Sequence, residues 1–178
     1  MAGPAVPMIH CWRLRVGRLS VSVASSTLGA KRIELSLDSQ TPVLELFRPL
    51  FPGSTLILSR DWNEPLIVAV EASLAGDSPS ASLQTDIAPT PFQDAVLRAI
   101  SRIPFGSTLS YSEVAATLGN PSLARAVGQA LKRNPLPIVF PCHRVLAANG
   151  LGGFGGRSPA NLAIKRFLLE REGSLETA

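Results

Sequence analysis

Residues 110–133 read SYSEVAATLGNPSLARAVGQALKR, and they set the expected fold of the second half of the chain. Ser110 with Glu113 three positions later is a capping box, which is the signature of a helix start. A GNP turn then reverses the chain, and another helix is predicted from Ser122. Two helices joined by a tight glycine-containing turn form a helix-turn-helix, although many helical hairpins with this pattern never contact DNA.

The second helix of this pair carries small side chains where a helix that reads the DNA major groove needs several polar ones. Arg125 is the only long side chain in its first turns, and Ala126 and Gly128 follow it. A helix this smooth fits closely into a narrower groove and leaves the arginine for a particular task. The alternative is that the alanines only pack against the neighbouring helix.

The first half of the chain has the alternation that is typical of β-strands. Between Cys11 and Ser36 apolar residues recur at every second position, with glycines at the breaks, which predicts two or three antiparallel strands. A helix is predicted next, capped by Asn63, with Pro65 in its first turn and Gly76 after its end. This half is therefore predicted to be a small α/β domain, and no chemistry is evident in it.

Composition divides the chain into two predicted domains. Residues 77–90 are rich in Ser, Pro and Thr and poor in large apolar groups, as linkers are. The predicted fold class is α+β. A small N-terminal α/β domain with an antiparallel sheet (1–76) precedes a mostly helical C-terminal domain (91–178) that contains the helix-turn-helix.

Charge and cysteine content narrow the class of protein. The formal net charge is +4, and residues 91–178 carry ten basic against five acidic side chains, which favours a polyanionic partner or simply a solvated basic surface. Two cysteines, Cys11 and Cys142, are too few for a disulfide scaffold or a four-ligand zinc site, so no metal is expected. No apolar run reaches the ~20 residues of a membrane span. We expect a cytoplasmic protein without membrane contacts.

One cysteine follows an apolar segment bounded by prolines, NPLPIVFPCHRV at 134–145. The prolines fix the backbone on the approach to Cys142. A lone cysteine is usually inert packing, but His143 and Arg144 raise the local positive potential and are expected to lower the pKa of the thiol. Because sequence neighbours point in different directions, His143 is expected to act on the sulfur through a water molecule or a bend in the chain.

A glycine-rich stretch follows the cysteine. Residues 150–155, GLGGFG, fit the pattern G-x-G-x-x-G, but the dinucleotide fingerprint requires a parallel βαβ unit, and only one predicted helix follows. The glycines are therefore interpreted as a loop that lets backbone amides approach a ligand. No G-x-S-x-G nucleophile elbow occurs in the sequence, which disfavours a serine hydrolase.

These motifs resemble those of the O6-alkylguanine-DNA alkyltransferases, also called methylated-DNA–protein-cysteine methyltransferases. The likeness extends over residues 90–173 and is carried by GNPSLARAVGQALKRNP, PCHRV, the glycine-rich loop and KRFLLEREG. It implies a single-turnover DNA-repair protein that flips an O6-alkylguanine out of the duplex and transfers the alkyl group irreversibly to its own cysteine. It also implies a monomer without a cofactor, with O4-alkylthymine in DNA as an additional candidate substrate.

The resemblance implies catalytic roles for five residues. Cys142 would be the nucleophile, and His143 would be the base that activates it through water. Glu172 would hold that histidine, and Asn134 would brace the turn around the site. Tyr111 would donate a proton or a hydrogen bond during the transfer and would press on the neighbouring phosphate.

The resemblance likewise implies contacts with DNA and with the damaged base. Arg125 would enter the base stack where the damaged nucleotide leaves it, and Asn120, Ala126 and Gly128 would lie along the DNA. The loop departs from the family in that its aromatic residue comes one position early and the run GRSPAN is longer than usual. The implied substrate-binding residues are Val145, Phe154, Gly155 and Pro137.

Three other hypotheses start from the same residues. A non-catalytic protein that binds alkylated DNA would keep the helix-turn-helix and the arginine but lack the cysteine. A cysteine hydrolase would use Cys142 and His143 and would turn over repeatedly. A transcription factor would use the helix-turn-helix, since some relatives are fused to regulators.

Overall fold

A four-stranded sheet with two helices forms the first part of the protein. The structure is a computed structural model that describes residues 6–77 and 83–175. The elements are β1 (Met8–Val16), β2 (Leu19–Ser26), β3 (Gly29–Leu37), α1 (Val43–Phe47), β4 (Thr55–Leu58) and α2 (Glu64–Ala75). Within the sheet the strand order is β3–β2–β1–β4.

The sheet confirms the predicted α+β class and adds one strand to it. Of the two or three antiparallel strands predicted between Cys11 and Ser36, three are present, and both β1–β2 and β2–β3 are antiparallel. The pattern did not reveal β4, which pairs in parallel with β1 and places Met8 opposite Thr55. The sheet is therefore mixed, because a fourth, parallel strand extends the antiparallel set.

The helix α2 has the predicted limits but not the predicted capping bond. Pro65 lies in its first turn, and Gly76 ends it in the left-handed conformation, with φ of 98°. Asn63 precedes the helix, yet its side chain accepts no capping hydrogen bond. Its amide group donates instead to the carbonyl oxygens of His10 (3.0 Å) and Ser59 (2.8 Å), which ties the start of α2 to β1.

The second described range is mostly helical and contains the helix-turn-helix. The capping box is confirmed, because Ser110 Oγ accepts from the Glu113 N–H at 3.2 Å and Glu113 Oε2 accepts from the Ser110 N–H at 2.6 Å. Asn120 Oδ1 accepts from the Ser122 N–H at 2.9 Å and starts a 3-10 turn, so the next helix begins later than Ser122. The elements are α3 (Pro91–Ile100), β5 (Leu109–Ser110), α4 (Tyr111–Thr117), α5 (Ala124–Lys132), β6 (Val145–Leu146) and α6 (Pro159–Arg171).

One apolar core joins the two parts of the chain. Val23 and Ile33 of the sheet belong to the same buried cluster as Val127 of α5 and Leu168 of α6. The Ile33 N–H also donates to the Pro135 carbonyl at 2.8 Å, so β3 is fixed beside the segment that leads to the cysteine. No helix of the described ranges is long and apolar enough to cross a membrane.

The predicted domain limits stay a prediction. The last helix of the first part ends at Ala75, and the next begins at Pro91, on either side of the proposed linker. Residues 78–82 of that linker lie outside the described residues. The shared core means that the two predicted domains are packed together by burial of apolar side chains.

Candidate active site and DNA-binding surface

Cys142 begins a single 3-10 turn, Cys142–Arg144, at the end of a constrained segment. Ile138 in that segment has φ of 77°, a left-handed conformation that costs a β-branched residue on the order of 1–3 kcal/mol. The Phe140 N–H donates to the Leu136 carbonyl at 2.9 Å and closes the turn. The backbone that presents the cysteine is therefore held by its surroundings in a conformation that it would not adopt alone.

Asn134 holds both this turn and the sulfur. Its Oδ1 accepts from the Leu136 N–H at 3.0 Å, and its Nδ2 donates to the Phe140 carbonyl at 2.8 Å. The same Nδ2 donates to Cys142 Sγ at 3.2 Å. The geometry fits the bracing role that the resemblance implies, and it adds a hydrogen bond to the sulfur.

Burial dominates the ionisation of the Cys142 thiol. The residue is 6% exposed, and burial raises the pKa of the thiol more than the Asn134 hydrogen bond and the Lys165 charge lower it. The sulfur is therefore a thiol at neutral pH. Since the thiolate is the nucleophile, a base must take the proton when the reaction occurs.

His143 and Arg144 both bind the carboxylate of Glu172. His143 Nε2 lies 2.7 Å from Glu172 Oε1, and Arg144 donates through Nε and Nη2 to the two carboxylate oxygens, each at 2.9 Å. Arg144 Nη1 also donates to the Ile103 carbonyl at 2.7 Å. The expectation that these neighbours lower the pKa of the Cys142 thiol is wrong, because they face Glu172 and the burial of the sulfur outweighs nearby charge.

The protonation states of Glu172 and His143 leave one nitrogen of the His143 ring available as a base. Burial raises the pKa of Glu172, but hydrogen bonds from His143 and Arg144 outweigh it and bring that pKa down to about 2. Burial lowers the pKa of His143 more than Glu172 raises it, so the imidazole is neutral at pH 7. An ionised carboxylate only accepts hydrogen bonds, so Nε2 carries the ring proton. Nδ1 is buried and has no hydrogen-bond partner among the described residues.

Lys165 is a functional candidate that the sequence patterns did not reveal. Its side chain is fully buried, and Nζ donates to the carbonyls of Val145 (2.6 Å), Leu151 (2.6 Å) and Gly153 (3.2 Å). Burial lowers the pKa of Lys165 to about 8. The carbonyl of Val145, one of the implied substrate-binding residues, thus already accepts one hydrogen bond and keeps a second lone pair. The only sequence signal is the position of the lysine three residues before Leu168, on the buried side of α6.

A cavity of about 590 Å³ opens beside the helix-turn-helix and reaches Cys142. Its volume lies within the range of pockets that enclose small ligands, which includes a single nucleobase. Both helices of the motif and the glycine-rich loop contribute to its wall. Its lining includes Tyr111, Arg125, Gly128, Cys142, Phe154 and Gly155.

Tyr111 connects α4 to the glycine-rich loop across this cavity. Its hydroxyl donates to the Gly153 carbonyl at 3.2 Å, and burial raises the pKa of the phenol, so the proton stays on at neutral pH. A Cβ at Gly152, where φ is 71°, would lie 2.9 Å from the Tyr111 ring. Glycine is therefore required there for the loop to approach the tyrosine.

A second cavity of about 160 Å³ also reaches Cys142. Pro137 and Asn134 line it on the side of the proline-bounded segment, and Phe154 and Gly155 line both cavities. Part of the remaining wall is β3 of the N-terminal sheet. Cys142 therefore lines two spaces of different size, one of about 590 Å³ and one of about 160 Å³.

Of the four residues expected along the DNA, two line the large cavity and two do not. Arg125 is exposed on α5, and both Arg125 and Gly128 line the large cavity. Ala126 is half-buried on the same helix, and Asn120 is exposed in the turn before it. Neither of these two belongs to the lining of the cavity in the described part of the chain.

Comparisons of sequence point to one family of proteins. Residues 91–174 match the family described as 6-O-methylguanine DNA methyltransferase, DNA binding domain. The inducible methylated-DNA–protein-cysteine methyltransferase of Bacillus subtilis (strain 168) is 40% identical over 135 residues, which cover 74% of this chain and 73% of that protein. Several further curated relatives are matched over 58 to 65% of their own length.

Comparisons of structure cover nearly the whole chain. The crystal structure of the Mycobacterium tuberculosis O6-methylguanine methyltransferase matches with a TM-score of 0.71 at 30% identity, over 96% of each chain. A structure of Mycobacterium tuberculosis OGT in complex with DNA matches with a TM-score of 0.67 at 29% identity, over 94% of this chain and 93% of that one. The likeness therefore includes the N-terminal sheet as well as the helical part.

Proposed function

Because this chain belongs to the 6-O-methylguanine DNA methyltransferase family, we propose that it repairs O6-alkylguanine in double-stranded DNA by moving the alkyl group irreversibly to Cys142. The predicted enzyme class, a methylated-DNA–protein-cysteine methyltransferase, is confirmed by this membership, and DNA is its partner. The proposal includes three further points. The substrate is O6-alkylguanine, O4-alkylthymine is an additional substrate, and the protein acts as a monomer. The observation that carries it is the position of Cys142 on the wall of the 590 Å³ cavity beside the helix-turn-helix.

The damaged base must leave the duplex to reach the sulfur. Extrusion of a nucleotide costs a few kcal/mol, because stacking and pairing are lost. Arg125 is exposed on α5 at the edge of the cavity, where its long side chain would fill the gap in the stack. The small residues Ala126 and Gly128 beside it would allow α5 to approach the DNA closely.

His143 would remove the proton from the thiol. Its Nδ1 has the free lone pair, and no described hydrogen bond links it directly to Cys142 Sγ, so a bridging water would relay the proton. The imidazolium that forms would be stabilised by the ionised carboxylate of Glu172, which Arg144 keeps in place. The Asn134 N–H and the Lys165 charge would stabilise the thiolate.

The thiolate would then attack the alkyl carbon. The S–C bond forms as the C–O6 bond breaks, and the bonding electrons pass to the guanine ring. Tyr111 keeps its phenolic proton and lies on the cavity wall, where it would donate to the departing guanine. Because the new thioether has no leaving group that the site activates, each protein molecule would act once.

The smaller cavity would receive the alkyl group. Its volume of about 160 Å³ is several times the roughly 30 Å³ that one water molecule takes up in the liquid, so the cavity would have room for a short alkyl group. Pro137 and Phe154 would contact the first carbon atoms of the group. Methyl and other short chains would fit this space.

Intact-protein mass spectrometry tests the proposal. Incubation with a duplex that contains O6-methylguanine should add about 14 Da to Cys142, the mass of one CH₂, at one equivalent per protein. A Cys142→Ser variant is the control and should gain nothing. Tight binding of the duplex without an adduct would favour the non-catalytic damage-binding hypothesis, and repeated turnover of an acyl ester would favour the hydrolase.

A further inference from the structure

Basic side chains continue from the active-site cavity onto the N-terminal sheet. Lys132 lines both the 590 Å³ cavity and the 160 Å³ cavity, and Arg32 of β3 lines the 160 Å³ cavity and a third one of about 340 Å³. The three cavities therefore adjoin one another, and each has cations on its wall. We call these cations the basic track: Arg125, Arg157, Lys132, Arg32, Arg133 and Lys31.

The basic track has a large excess of positive charge. Among the described residues, only two acids line the same cavities: Glu34, which pairs with Arg32 at 2.6 Å, and Asp86, which pairs with Lys31 at 2.7 Å. The other four cations form no ion pair with any residue of the described ranges. The excess is four charges, which equals the formal net charge of the whole chain.

The backbone under the basic track is fixed. Gln93 Nε2 donates to the Arg133 carbonyl at 3.1 Å, which anchors the end of α5 to α3. The Ile33 N–H donates to the Pro135 carbonyl at 2.8 Å, which holds β3 against the next segment. The end of α5 and the middle of β3 thus form one rigid basic surface, although they are about a hundred residues apart in sequence.

We propose that the DNA backbone on one side of the lesion runs along this track, from α5 onto β3, so that Arg133, Arg32 and Lys31 contact phosphates. The proposal rests on binding of DNA by α5. From Arg125 to Arg133 the helix rises about 12 Å at 1.5 Å per residue, and phosphates of one strand are spaced about 3.4 Å along the duplex axis. The track is therefore long enough to follow several phosphates beyond the extruded nucleotide.

Arg133 should contribute most to this contact among the three. It has no ion-pair partner in the described residues, so binding a phosphate breaks no existing pair. Lys31 and Arg32 already neutralise Asp86 and Glu34, and they should contribute less. Arg102 is a matched control, because it is exposed at the end of α3, forms no ion pair in the described part and lines a different groove.

The test compares Arg133→Gln with Arg102→Gln on an unmodified duplex of about 20 base pairs, two helical turns. Arg133→Gln should weaken binding roughly three- to tenfold at low salt and reduce the slope of log K against log salt by about 0.9, the value of one phosphate contact. Arg102→Gln should change neither quantity. Equal affinities and slopes for the two variants would overturn the proposal.

Two further measurements locate the contact. In the Cys142→Ser background, duplexes that contain one O6-methylguanine and are shortened on one side of the lesion or the other should restore equal binding with and without Arg133→Gln for only one of the two sides; an unchanged difference on both would place Arg133 at the lesion and refute the track. Reaction with the free O6-methylguanine base should be the same for wild type and both variants. If the wild type does not react with the free base, that result counts against the proposed alkyl transfer. The comparison of DNA binding by Arg133→Gln and Arg102→Gln would still test whether DNA follows the basic track.

Discussion

The chain contains its two cysteines beside its two histidines, and the two pairs differ in almost everything except residue type. Cys11 lies in β1 among Ile9, Ala24 and Phe47, and burial raises the pKa of its thiol to about 11. Its Sγ has one weak contact, at 3.8 Å from the Ile9 carbonyl. Cys142 is also buried, yet it borders two cavities and accepts a hydrogen bond from an amide.

The histidines differ in the same way. His10 stacks on Trp62 with ring centroids 4.4 Å apart, and neither ring nitrogen has a partner among the described residues. His143 is oriented by an ionised carboxylate, so that one nitrogen is protonated and the other is free. Cys142 thus differs from Cys11 in its adjoining cavities and in the free nitrogen of its neighbouring histidine, whereas the pKa values of both buried thiols are raised.

The largest expected effect is the difference in alkyl transfer between a variant that lacks Cys142 and a variant that lacks Cys11. Cys142→Ser should abolish the methyl adduct completely, whereas Cys11→Ser should leave transfer at the wild-type stoichiometry, because Cys11 borders neither cavity that reaches Cys142. Mass spectrometry of the intact protein and of its peptides measures both. An adduct on Cys11 in the Cys142→Ser variant would contradict the conclusion that only Cys142 accepts the alkyl group.

The next effect concerns the orientation of His143. Glu172→Gln should slow transfer by about 10²-fold, the lower range for loss of general base catalysis, and should destabilise the fold by about 3–5 kcal/mol, because Arg144 then lacks its buried counter-ion. Single-turnover rates and urea unfolding measure the two effects. The transfer rate of the variant should also rise more steeply with pH, since hydroxide must replace the oriented base.

Glu170→Gln is the matched control, because Glu170 lies on the same helix and has only a 4.0 Å pairing with Arg166. It should change rate and stability little. A pH–rate profile of Glu172→Gln parallel to that of the wild type would show that Glu172 has a structural role only.

A smaller effect is expected in the reaction of the two thiols with a small alkylating reagent. Cys142 should be labelled at least about tenfold faster than Cys11 in the folded protein, because it borders open cavities and Cys11 does not. Labelling followed by peptide mass spectrometry gives both rates, and unfolding in urea should make them equal. Bound DNA should protect Cys142 alone; protection of Cys11 would contradict the assignment of the DNA-binding surface.

The last expected effect is on stability at acid pH. The pKa of Glu172 falls from its ordinary value near 4.5 to about 2 on folding, so its contribution is complete above pH 4.5 and is lost as pH falls towards 2. The difference in unfolding free energy between wild type and Glu172→Gln should therefore narrow over that interval. A difference that stays constant from pH 6 to about pH 2.5 would show that the carboxylate is not held ionised by its neighbours.

Local signals made much of the fold predictable. The capping box of Ser110 and Glu113 and the left-handed Gly76 depend on residues a few positions apart, and both are present. The strand β4 was missed because four residues are too few to show alternation, and its partner β1 lies some forty residues earlier. The helix-turn-helix and the enzyme class followed from specific motifs, and the family comparison confirms them.

The chemistry of the site was less accessible from sequence. Glu172 binds Arg144 as well as His143, although 28 residues separate Arg144 from the acid, and no local pattern predicts that pairing. Lys165 resembled a surface lysine until the fold placed it among three carbonyls. The direction of the pKa shift of Cys142 depends on burial, which cannot be inferred from the neighbouring residues in the sequence. The cytoplasmic location, the monomeric state and the roles of the site residues stay predictions.

The apolar core shared by the sheet and the helices has a consequence for how much damage a cell can repair. A protein consumed by each event has a capacity equal to its number of folded copies, not to its rate. Replacing Val21 or Val23 of β2, which line neither cavity at Cys142, with a smaller residue would touch no reacting atom, yet a loss of about 1–2 kcal/mol changes the abundance of a protein several-fold. In such a molecule, a strand that does not border the reacting sulfur limits the dose of lesions that can be tolerated.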